Sequence, residues 1–377
     1  MIESCALFAM LRNAGVIGNL LTENQKTKAA GAYSLAEILS QPECWNVCLA
    51  QLRQSGQLKD IRQRFGGAGE WLFVGCGSSY YVALAAAATF RMLTGQAARA
   101  VPASEVLLYP EMVLGGRMVP VLISRSGQTS EVLRVADLLN SRGVAAIAIS
   151  CATGQPLEKK ASAAIVLSVA DERSTVMTRS FTSMLLALQA LAAEVGGKSG
   201  LVDSMLSMAA SAAPALKALP ERVGEFVSGH RFEDYVCLGQ GPFYGLACEC
   251  ALKTTEMSVS YAQAFHTLEF RHGPKSIVSP ETLLVFLLSE TGYEAEREVL
   301  EEMKALGATT LVIANRADQR ARAAADLLVE FSLDVPELAR LVCYMLPGQL
   351  LGLYTGLQKG GDPDQPRNLS RVVVLNS

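Results

Sequence analysis

Short apolar runs alternate with segments of helical periodicity along the chain. Six runs are apolar at nearly every position: 71–75 (WLFVG), 119–124 (VPVLIS), 145–150 (AAIAIS), 234–239 (DYVCLG), 283–288 (LLVFLL) and 309–314 (TTLVIA). Strands that are apolar on both faces and alternate with helices are typical of parallel sheets covered by helices. The pattern therefore predicts an α/β protein with two tandem, doubly wound parallel sheets.

The second half of the chain repeats the first half. An offset of 164 residues places Gly75 on Gly239 and Tyr80 on Tyr244, and it also aligns the apolar runs of the two halves. A gap-free offset held across three separated strands indicates an internal repeat. We predict five segments: a helical extension (1–54), a first α/β domain (55–195), a helical connector (196–227), a second α/β domain (228–360) and a tail that closes over the site (361–377).

The two copies differ where the run 119–124 ends. Polar side chains there surround one glycine: Ser124, Ser126, Gln128 and Thr129 around Gly127. The second copy has Leu-Ser-Glu-Thr at 288–291 instead. A helix N-terminus beyond a strand end attracts phosphate through its free N–H groups. One hydroxyl before a helix is usually only an N-cap, but four polar side chains around a glycine favour a phosphate-binding loop, to which Ser78 and Ser79 could add donors.

A second candidate site lies on the predicted helix 243–258. Glu249, Lys253 and Glu256 are spaced four and three residues apart, which places them on one helix face. Charges at this spacing usually form an exposed ion-pair stripe, yet the rest of this helix is largely apolar. A carboxylate on such a helix is a candidate base whose pKa is raised by burial. His272 is a candidate for proton transfer, although a histidine beside Gly-Pro is more often a turn residue.

Composition excludes several classes of function. Lysine plus arginine (33) nearly balances aspartate plus glutamate (36) without a basic block, which excludes the footprint of a nucleic-acid binder. The nine cysteines and three histidines form neither a disulfide framework nor a zinc pattern. No nucleotide-binding glycine motif, signal peptide or apolar run of about 18 residues is present. We expect a cytoplasmic protein that contacts no membrane, needs no metal or cofactor and binds a small molecule.

Four motifs together resemble the double sugar isomerase (SIS) domain family. They are GCGSSY at 75–80, SRSGQTSE at 124–131, GQGPFYGLACECALKTTEM at 239–257 and FRHGPKS at 270–276. The ending KGGDPDQPRNLSRVVVL is similar to the tail of the isomerase half of the glutamine:fructose-6-phosphate transaminases. The resemblance extends from about residue 35 to the C-terminus. It implies two flavodoxin-like SIS domains that act on a sugar phosphate.

The resemblance also implies roles for individual residues. We assign substrate binding to Ser79, Ser124, Arg125, Ser126, Gln128, Thr129, Thr175 and Lys253. The family's pattern makes Glu256, rather than Glu249, the residue that moves a proton between C1 and C2 of the sugar. It makes His272 the residue that opens the sugar ring, and it places this histidine in the site of the neighbouring subunit. The resemblance therefore implies a homodimer with shared sites.

Two positions depart from the transaminase pattern. Arg125 stands where those enzymes carry glutamine, and Arg371 stands where their tail lysine forms a Schiff base. Arginine cannot form the imine, so we assign Arg371 a catalytic role through charge and hydrogen bonds only. The chain starts Met-Ile-Glu, with Cys5 inside a helical pattern, and we therefore expect that glutamine is not its nitrogen source.

These features predict an isomerase or deaminase of a hexose or hexosamine 6-phosphate. The block FRHGPKSIV and the Arg-Val-Val tail resemble the amino-sugar-phosphate deaminase/isomerase branch of the family. The alternatives are a fructosamine-6-phosphate deglycase, a glutamine-independent relative of the transaminases and a non-catalytic sugar-phosphate sensor. The presence of both Glu256 and His272 favours an enzyme over a sensor.

Overall fold

The structure is a computed structural model that describes residues 29–375. Residues 1–28 of the predicted N-terminal extension, including Cys5, lie outside the described residues, as do residues 376 and 377. No helix between residues 29 and 375 combines the length and the apolar character that crossing a membrane would require.

Two five-stranded parallel sheets form the centre of the molecule. The first contains β1 (Glu70–Gly75), β2 (Ala97–Pro102), β3 (Met118–Ile123), β4 (Ile147–Ser150) and β5 (Ala163–Val166) in the order β2-β1-β3-β4-β5. The second contains β6 (Asp234–Gly239), β7 (Ala262–Phe265), β8 (Thr282–Leu287), β9 (Thr309–Ala314) and β10 (Leu327–Glu330) in the order β10-β9-β8-β6-β7. Both orders are the flavodoxin-like one, and the α/β prediction is confirmed.

Sixteen helices lie among the described residues. The first half contains α1 (Ala32–Leu39), α2 (Gln41–Ser55), α3 (Gln57–Phe65), α4 (Ser78–Thr94), α5 (Ala103–Leu108), α6 (Pro110–Val113), α7 (Ser130–Ser141), α8 (Pro156–Lys160) and α9 (Arg179–Val195). The second half contains α10 (Gly200–Lys217), α11 (Leu219–Ser228), α12 (Phe243–Ser258), α13 (Tyr293–Ala305), α14 (Gln319–Ala323), α15 (Glu337–Arg340) and α16 (Met345–Gln358). Single 3-10 turns span Ser168–Ala170, Glu269–Arg271, Pro274–Ile277 and Leu341–Tyr344.

The internal repeat is visible in the strand positions. Strands β1, β3 and β5 begin 164 residues before β6, β8 and β10, the same offset that aligns the two halves of the sequence. The apolar pattern did not include the edge strands β2 and β7. Their sequences, AARAVP and AQAF, are rich in alanine, which has low strand propensity. These two segments are strands because they pair in parallel with the buried strands β1 and β6, and their own sequences do not indicate it.

Helix α12 is packed between the two halves of the molecule. It contacts α4 of the first half and α16 of the second half. A Cβ atom on Gly352 of α16 would lie only 2.8 Å from the Lys253 carbonyl oxygen, so the two backbones approach more closely than a side chain would allow. This packing buries the face of α12 that carries Glu249 and Lys253, which are both fully inaccessible to solvent.

Candidate active site

The hydroxyl loop, residues 124–130, connects β3 to α7. Ser124 is buried, and its Oγ lies 3.0 Å from Oγ1 of Thr129. Ser126 Oγ accepts a hydrogen bond from the N–H of Gln128 at 3.2 Å. Gly127 has a φ of 64°, and a Cβ there would lie 2.7 Å from the Gln155 Cβ. Only glycine fits this tight turn, which directs the hydroxyl loop towards the start of the helix.

The N-terminus of α7 has no side-chain cap. Among residues 29–375, the N–H groups of Thr129, Glu131 and Val132 have no hydrogen-bond acceptor. Unsatisfied N–H groups and the helix dipole make such an end an anion-binding site. Because the hydroxyls do not cap the helix, the simple N-cap interpretation of these serines is not supported.

Glu249, Lys253 and Glu256 form a buried acid–base cluster on α12. The ammonium of Lys253 lies 3.3 Å from Oε1 of Glu249 and pairs with Oε2 of Glu256. It also donates a hydrogen bond to Ser78 Oγ at 3.2 Å. Only Glu256 reaches solvent, with 19% of its side chain exposed. The spacing of the three charges alone would suggest an exposed stripe of ion pairs. Because this helix face is buried, that interpretation is excluded.

Burial dominates the electrostatics of this cluster. It raises the pKa of Glu249 to about 8, although the neighbouring Lys253 opposes the shift. Neither carboxylate oxygen of Glu249 has a well-formed hydrogen bond to a described residue. For Lys253, burial acts to lower the pKa, but the attraction of Glu249 and Glu256 outweighs it and the pKa is raised. The cluster is therefore a buried ammonium between two carboxyl groups, one of which keeps its proton to near-neutral pH.

Arg125 does not point towards the hydroxyls of its own loop. Its guanidinium is buried, with Nη1 3.4 Å from Glu172 Oε2 and 3.3 Å from the Val176 carbonyl. Nη2 donates to the carbonyls of Thr175 at 3.0 Å and Arg371 at 2.8 Å. The side chain thus ties the hydroxyl loop to residues 172–176 and to the tail. Its role in phosphate binding stays a prediction.

The C-terminal tail lies against the hydroxyl loop. The Val373 carbonyl accepts the Ser130 N–H at 3.3 Å, and the Leu375 N–H donates to Ser130 Oγ at 3.0 Å. Arg371 Nη2 lies 2.6 Å from Asp171 Oδ1. Thr175 contacts the tail through its backbone, since its N–H donates to the Asp364 carbonyl at 3.0 Å.

The remaining predicted residues differ in position. Ser79 is buried at the start of α4, with its Oγ 4.0 Å from Met177 Sδ. Gln128 is exposed, and its amide donates to Gln155 at 2.6 Å. His272 is exposed on the segment that follows the edge strand β7, and it forms no side-chain hydrogen bond or ion pair with any described residue. Hydrogen bonds therefore join the predicted residues in separate groups: Lys253 with Glu256, pairs within the hydroxyl loop, and Arg125 with Thr175 and Arg371. Within residues 29–375, the side chains of Ser79 and His272 form no hydrogen bond with another predicted residue.

Sequence reasoning missed the acidic residues that hold this site together. Glu172 is buried and accepts hydrogen bonds from the N–H and Oγ1 of Thr178, at 2.6 and 2.7 Å. Glu37 accepts the Arg173 N–H at 2.6 Å. The only sequence signal for Glu172 was its position beside Asp171 in the segment ADERST at 170–175. Neither helical nor strand periodicity marks that segment, so its burial could not be inferred.

The corresponding loop of the second copy is satisfied internally. Glu296 accepts hydrogen bonds from the N–H and the Oγ of Ser289, at 2.6 and 2.8 Å. The Ser289 hydroxyl also accepts the Gly292 N–H at 2.8 Å, at the start of α13. A cavity of about 460 Å³ lies beside this loop, lined partly by Glu290 and Asp318. Glu296 thus binds the loop residue that corresponds to Arg125. The N–H groups of Tyr293, Glu294 and Ala295 at the start of α13 have no acceptor among the described residues, as is also the case at the start of α7. Between residues 29 and 375, no three potential metal ligands come together.

A model of the SIS domain matches residues 67–194 and 235–339, which is more than half of the chain. The chain belongs to the SIS domain family. The two matched segments contain the two sheets, the hydroxyl loop and the acid–base cluster. The family predicted from the four motifs is confirmed, and membership supports the prediction of an enzyme of this family.

Curated relatives of this SIS protein include glutamine–fructose-6-phosphate aminotransferases (isomerizing). The protein of Bacteroides thetaiotaomicron is 26% identical over 365 residues, covering 91% of this chain and 58% of the relative. That of Vibrio vulnificus is 29% identical over 315 residues, covering 80% and 51%. The chain thus spans little more than half the length of these relatives.

Solved structures share the whole architecture. A glucosamine-6-phosphate deaminase from Thermotoga maritima superimposes with a TM-score of 0.78 at 29% identity, covering 91% of this chain and 100% of that protein. A tagatose-6-phosphate ketose/aldose isomerase from Escherichia coli has the same TM-score at 22% identity, covering 94% and 99%. The second likeness shows the fold alone.

Proposed function

We propose that this protein converts a 2-amino-2-deoxyhexose 6-phosphate, of the glucosamine or galactosamine type, to a ketose 6-phosphate with release of ammonia. The hydrogen bond of 3.2 Å between Lys253 and Ser78 carries the proposal. Ser78 opens α4 at the end of β1, and the hydroxyl loop follows the neighbouring strand β3. This contact supports a site in which the acid–base cluster lies at the carboxyl end of the first sheet, together with the hydroxyl loop.

The free N–H groups at the start of α7 bind the phosphate in this proposal. Side-chain donors come from Ser79, Ser124, Ser126, Gln128 and Thr129. The helix dipole and the hydroxyls together suit a dianion without any lysine in the loop. Arg125 supports the hydroxyl loop through its bond to the Thr175 carbonyl. The tail residues that contact Ser130 exclude water once the substrate is bound.

Proton transfer belongs to Glu256 because it is the one carboxylate of the cluster that reaches solvent. Glu256 removes the proton from C2 of the open-chain amino sugar and returns it to C1. The resulting 2-imine reacts with water to give the ketose phosphate and ammonia. Lys253 holds the Glu256 carboxylate in place, and its ammonium stabilises negative charge that develops on the sugar oxygen.

His272 opens the sugar ring in this scheme and acts on the site of a second subunit. The exposure of its imidazole, and its lack of a side-chain partner within residues 29–375, support a role at a subunit interface. The proposal therefore includes a homodimer in which each site combines Glu256 of one chain with His272 of the other.

Two observations favour deamination over transfer of nitrogen from glutamine. The chain covers the full length of the deaminase structure at 29% identity. Its tail carries Arg371, which cannot form an imine with a ketose. Arg371 contributes charge and hydrogen bonds only.

The test is incubation with a panel of hexose and hexosamine 6-phosphates, with ammonia and ketose phosphate measured in the same samples. We expect ammonia and ketose in equal amounts from one or more hexosamine 6-phosphates. Formation of ketose from an aldose 6-phosphate alone would identify a plain isomerase. No product from any member of the panel would overturn the proposal.

A further inference from the structure

Two adjacent acids each hold one arginine where the tail meets the hydroxyl loop. Glu172 pairs with Arg125 at 3.4 Å, and Asp171 pairs with Arg371 at 2.6 Å. The two ion pairs meet at Arg371, because Arg125 also donates a hydrogen bond to the Arg371 carbonyl at 2.8 Å. Residues 171 and 172 are therefore connected to the tail through two different cations.

The two ion pairs differ in burial. The side chains of Arg125 and Glu172 are 6% and 0% exposed, and those of Arg371 and Asp171 are 45% and 39% exposed. Removing one partner of a buried pair leaves an uncompensated charge, whereas an exposed pair contributes little to stability and is screened by salt. Breaking the outer pair therefore costs less free energy than breaking the inner pair.

The outer pair lies next to a tail segment that contacts the first turn of α7. Val373 lies two residues beyond Arg371, and its carbonyl accepts a hydrogen bond from the Ser130 N–H at the first turn of α7. Leu375 then donates its N–H to the hydroxyl of the same serine. Arg371 thus lies directly before the part of the tail that contacts the hydroxyl loop.

We propose that Asp171 is a positioning residue that holds Arg371, and with it residues 371–375, over the N-terminus of α7. Asp171 does not touch the sugar; it acts through Arg371. The kinetic consequence rests on the proposed function, since it requires a sugar phosphate at that helix end. The tail contact itself can be tested without any substrate.

The first test uses trypsin, which must take up the arginine side chain and the neighbouring backbone, so that a tail held in place is cleaved more slowly. Asp171→Asn keeps the shape of the side chain and removes its charge. Cleavage after Arg371 removes residues 372–377, and intact-protein mass spectrometry measures its rate. We expect this rate to be roughly two- to fivefold higher in the variant, which is the range for loss of an exposed ion pair. Added salt should accelerate the cleavage of the wild-type protein and leave Asp171→Asn unchanged. Asp171→Glu should restore protection.

The control is Asp137→Asn, which removes another exposed ion pair, that of Asp137 with Lys160. It should leave cleavage after Arg371 at the wild-type rate. Equal cleavage of the wild-type protein and Asp171→Asn, with no effect of salt, would show that Asp171 does not hold the tail.

The second test measures steady-state kinetics with the hexosamine 6-phosphate that the panel identifies. Asp171→Asn should lower kcat by roughly two- to fivefold, and Asp171→Glu and Asp137→Asn should retain it. Faster tail cleavage with unchanged kcat would refute the positioning role. If no sugar phosphate is turned over, the proposed function fails, while the trypsin result still decides whether Asp171 holds the tail.

Discussion

Ser124 and Ser126 are the residues on which phosphate binding depends most in this account. Their double replacement by alanine removes two donors to a charged group, each contributing about 1.5–3 kcal/mol. KM for the phosphorylated sugar should therefore rise by about 10²-fold or more. Steady-state kinetics measure this effect, and Ser141→Ala, at the far end of α7, is the control. An unchanged KM would mean that the hydroxyl loop has no part in binding the substrate.

Glu249 should make stability depend on pH. Because burial raises its pKa to about 8, the folded protein keeps a proton that the unfolded chain loses above about pH 4.5. The unfolded state then binds fewer protons, so stability attributable to Glu249 is complete at low pH and declines as pH rises towards 8.

Glu249→Gln should remove this part of the pH dependence. Urea unfolding at pH 5.5 and pH 8 should show a smaller loss of free energy of unfolding in the variant than in the wild-type protein. The control is Glu301→Gln on α13, whose carboxylate pairs with Arg320 at the surface. Parallel pH profiles for Glu249→Gln and the wild-type protein would contradict the raised pKa.

At the residue scale, the sequence predicted chemistry better than it predicted contacts. The hydroxyls around Gly127 and the charges on α12 were recognisable because their spacing relates them to one loop and one helix face. The partners of Arg125 were not recognisable, since Glu172 lies 47 residues away in a segment without periodicity. A contact of that kind depends on how two loops meet above the sheet, which no local pattern records.

Helix α12 owes its position to glycine on α16. Replacing Gly352 by alanine would place a Cβ 2.8 Å from the Lys253 carbonyl oxygen, so the two helices must move apart. Overpacking of this kind costs about 1–3 kcal/mol, and we expect Gly352→Ala to reduce both the free energy of unfolding and turnover. Denaturant unfolding and steady-state kinetics measure the two effects.

Gly224 on α11 provides a matched control for this substitution. A Cβ there would lie 3.6 Å from Tyr354, which is an ordinary contact. Gly224→Ala should therefore leave stability unchanged or raise it by up to about 1 kcal/mol, because alanine favours a helix over glycine. Equal effects of the two substitutions would contradict the close packing of α12 and α16.

At the element scale, the interior strands could be predicted, whereas the edge strands β2 and β7 could not. β3 and β8 are apolar on both faces because helices cover both sides of a parallel sheet. β2 and β7 are partly exposed and rich in alanine, so only their pairing partners define them. The repeat marked the other two edge strands, β5 and β10, because the offset of 164 residues aligns them.

At the scale of the whole molecule, the two copies of the fold contribute different parts of the proposed site. The first contributes the hydroxyl loop, whereas the second has Leu-Ser-Glu-Thr at the equivalent positions, with Ser289 bonded to Glu296, and contributes α12 with its acid–base cluster. Neither copy contains a complete site in this account. The arrangement requires both halves of the chain and, for His272, a second chain.

Mixed dimers test whether the sites are shared. Glu256→Gln and His272→Ala chains should each be nearly inactive. A dimer of one chain of each kind has one site with both residues intact. Random mixing should then restore about a quarter of wild-type activity in a two-fold symmetric dimer. Activity in a strictly monomeric preparation, or no recovery on mixing, would contradict the shared site.

The turnover of Glu256→Gln with the hexosamine 6-phosphate that the panel identifies tests the proposed proton transfer most directly. General acid–base catalysis contributes about 10²–10⁴-fold, so kcat should fall by that factor while thermal stabilisation by the sugar phosphate persists. Glu301→Gln, which alters only a surface pair, should keep wild-type turnover. A kcat near the wild-type value in Glu256→Gln would contradict the account, because proton transfer would then belong to another group.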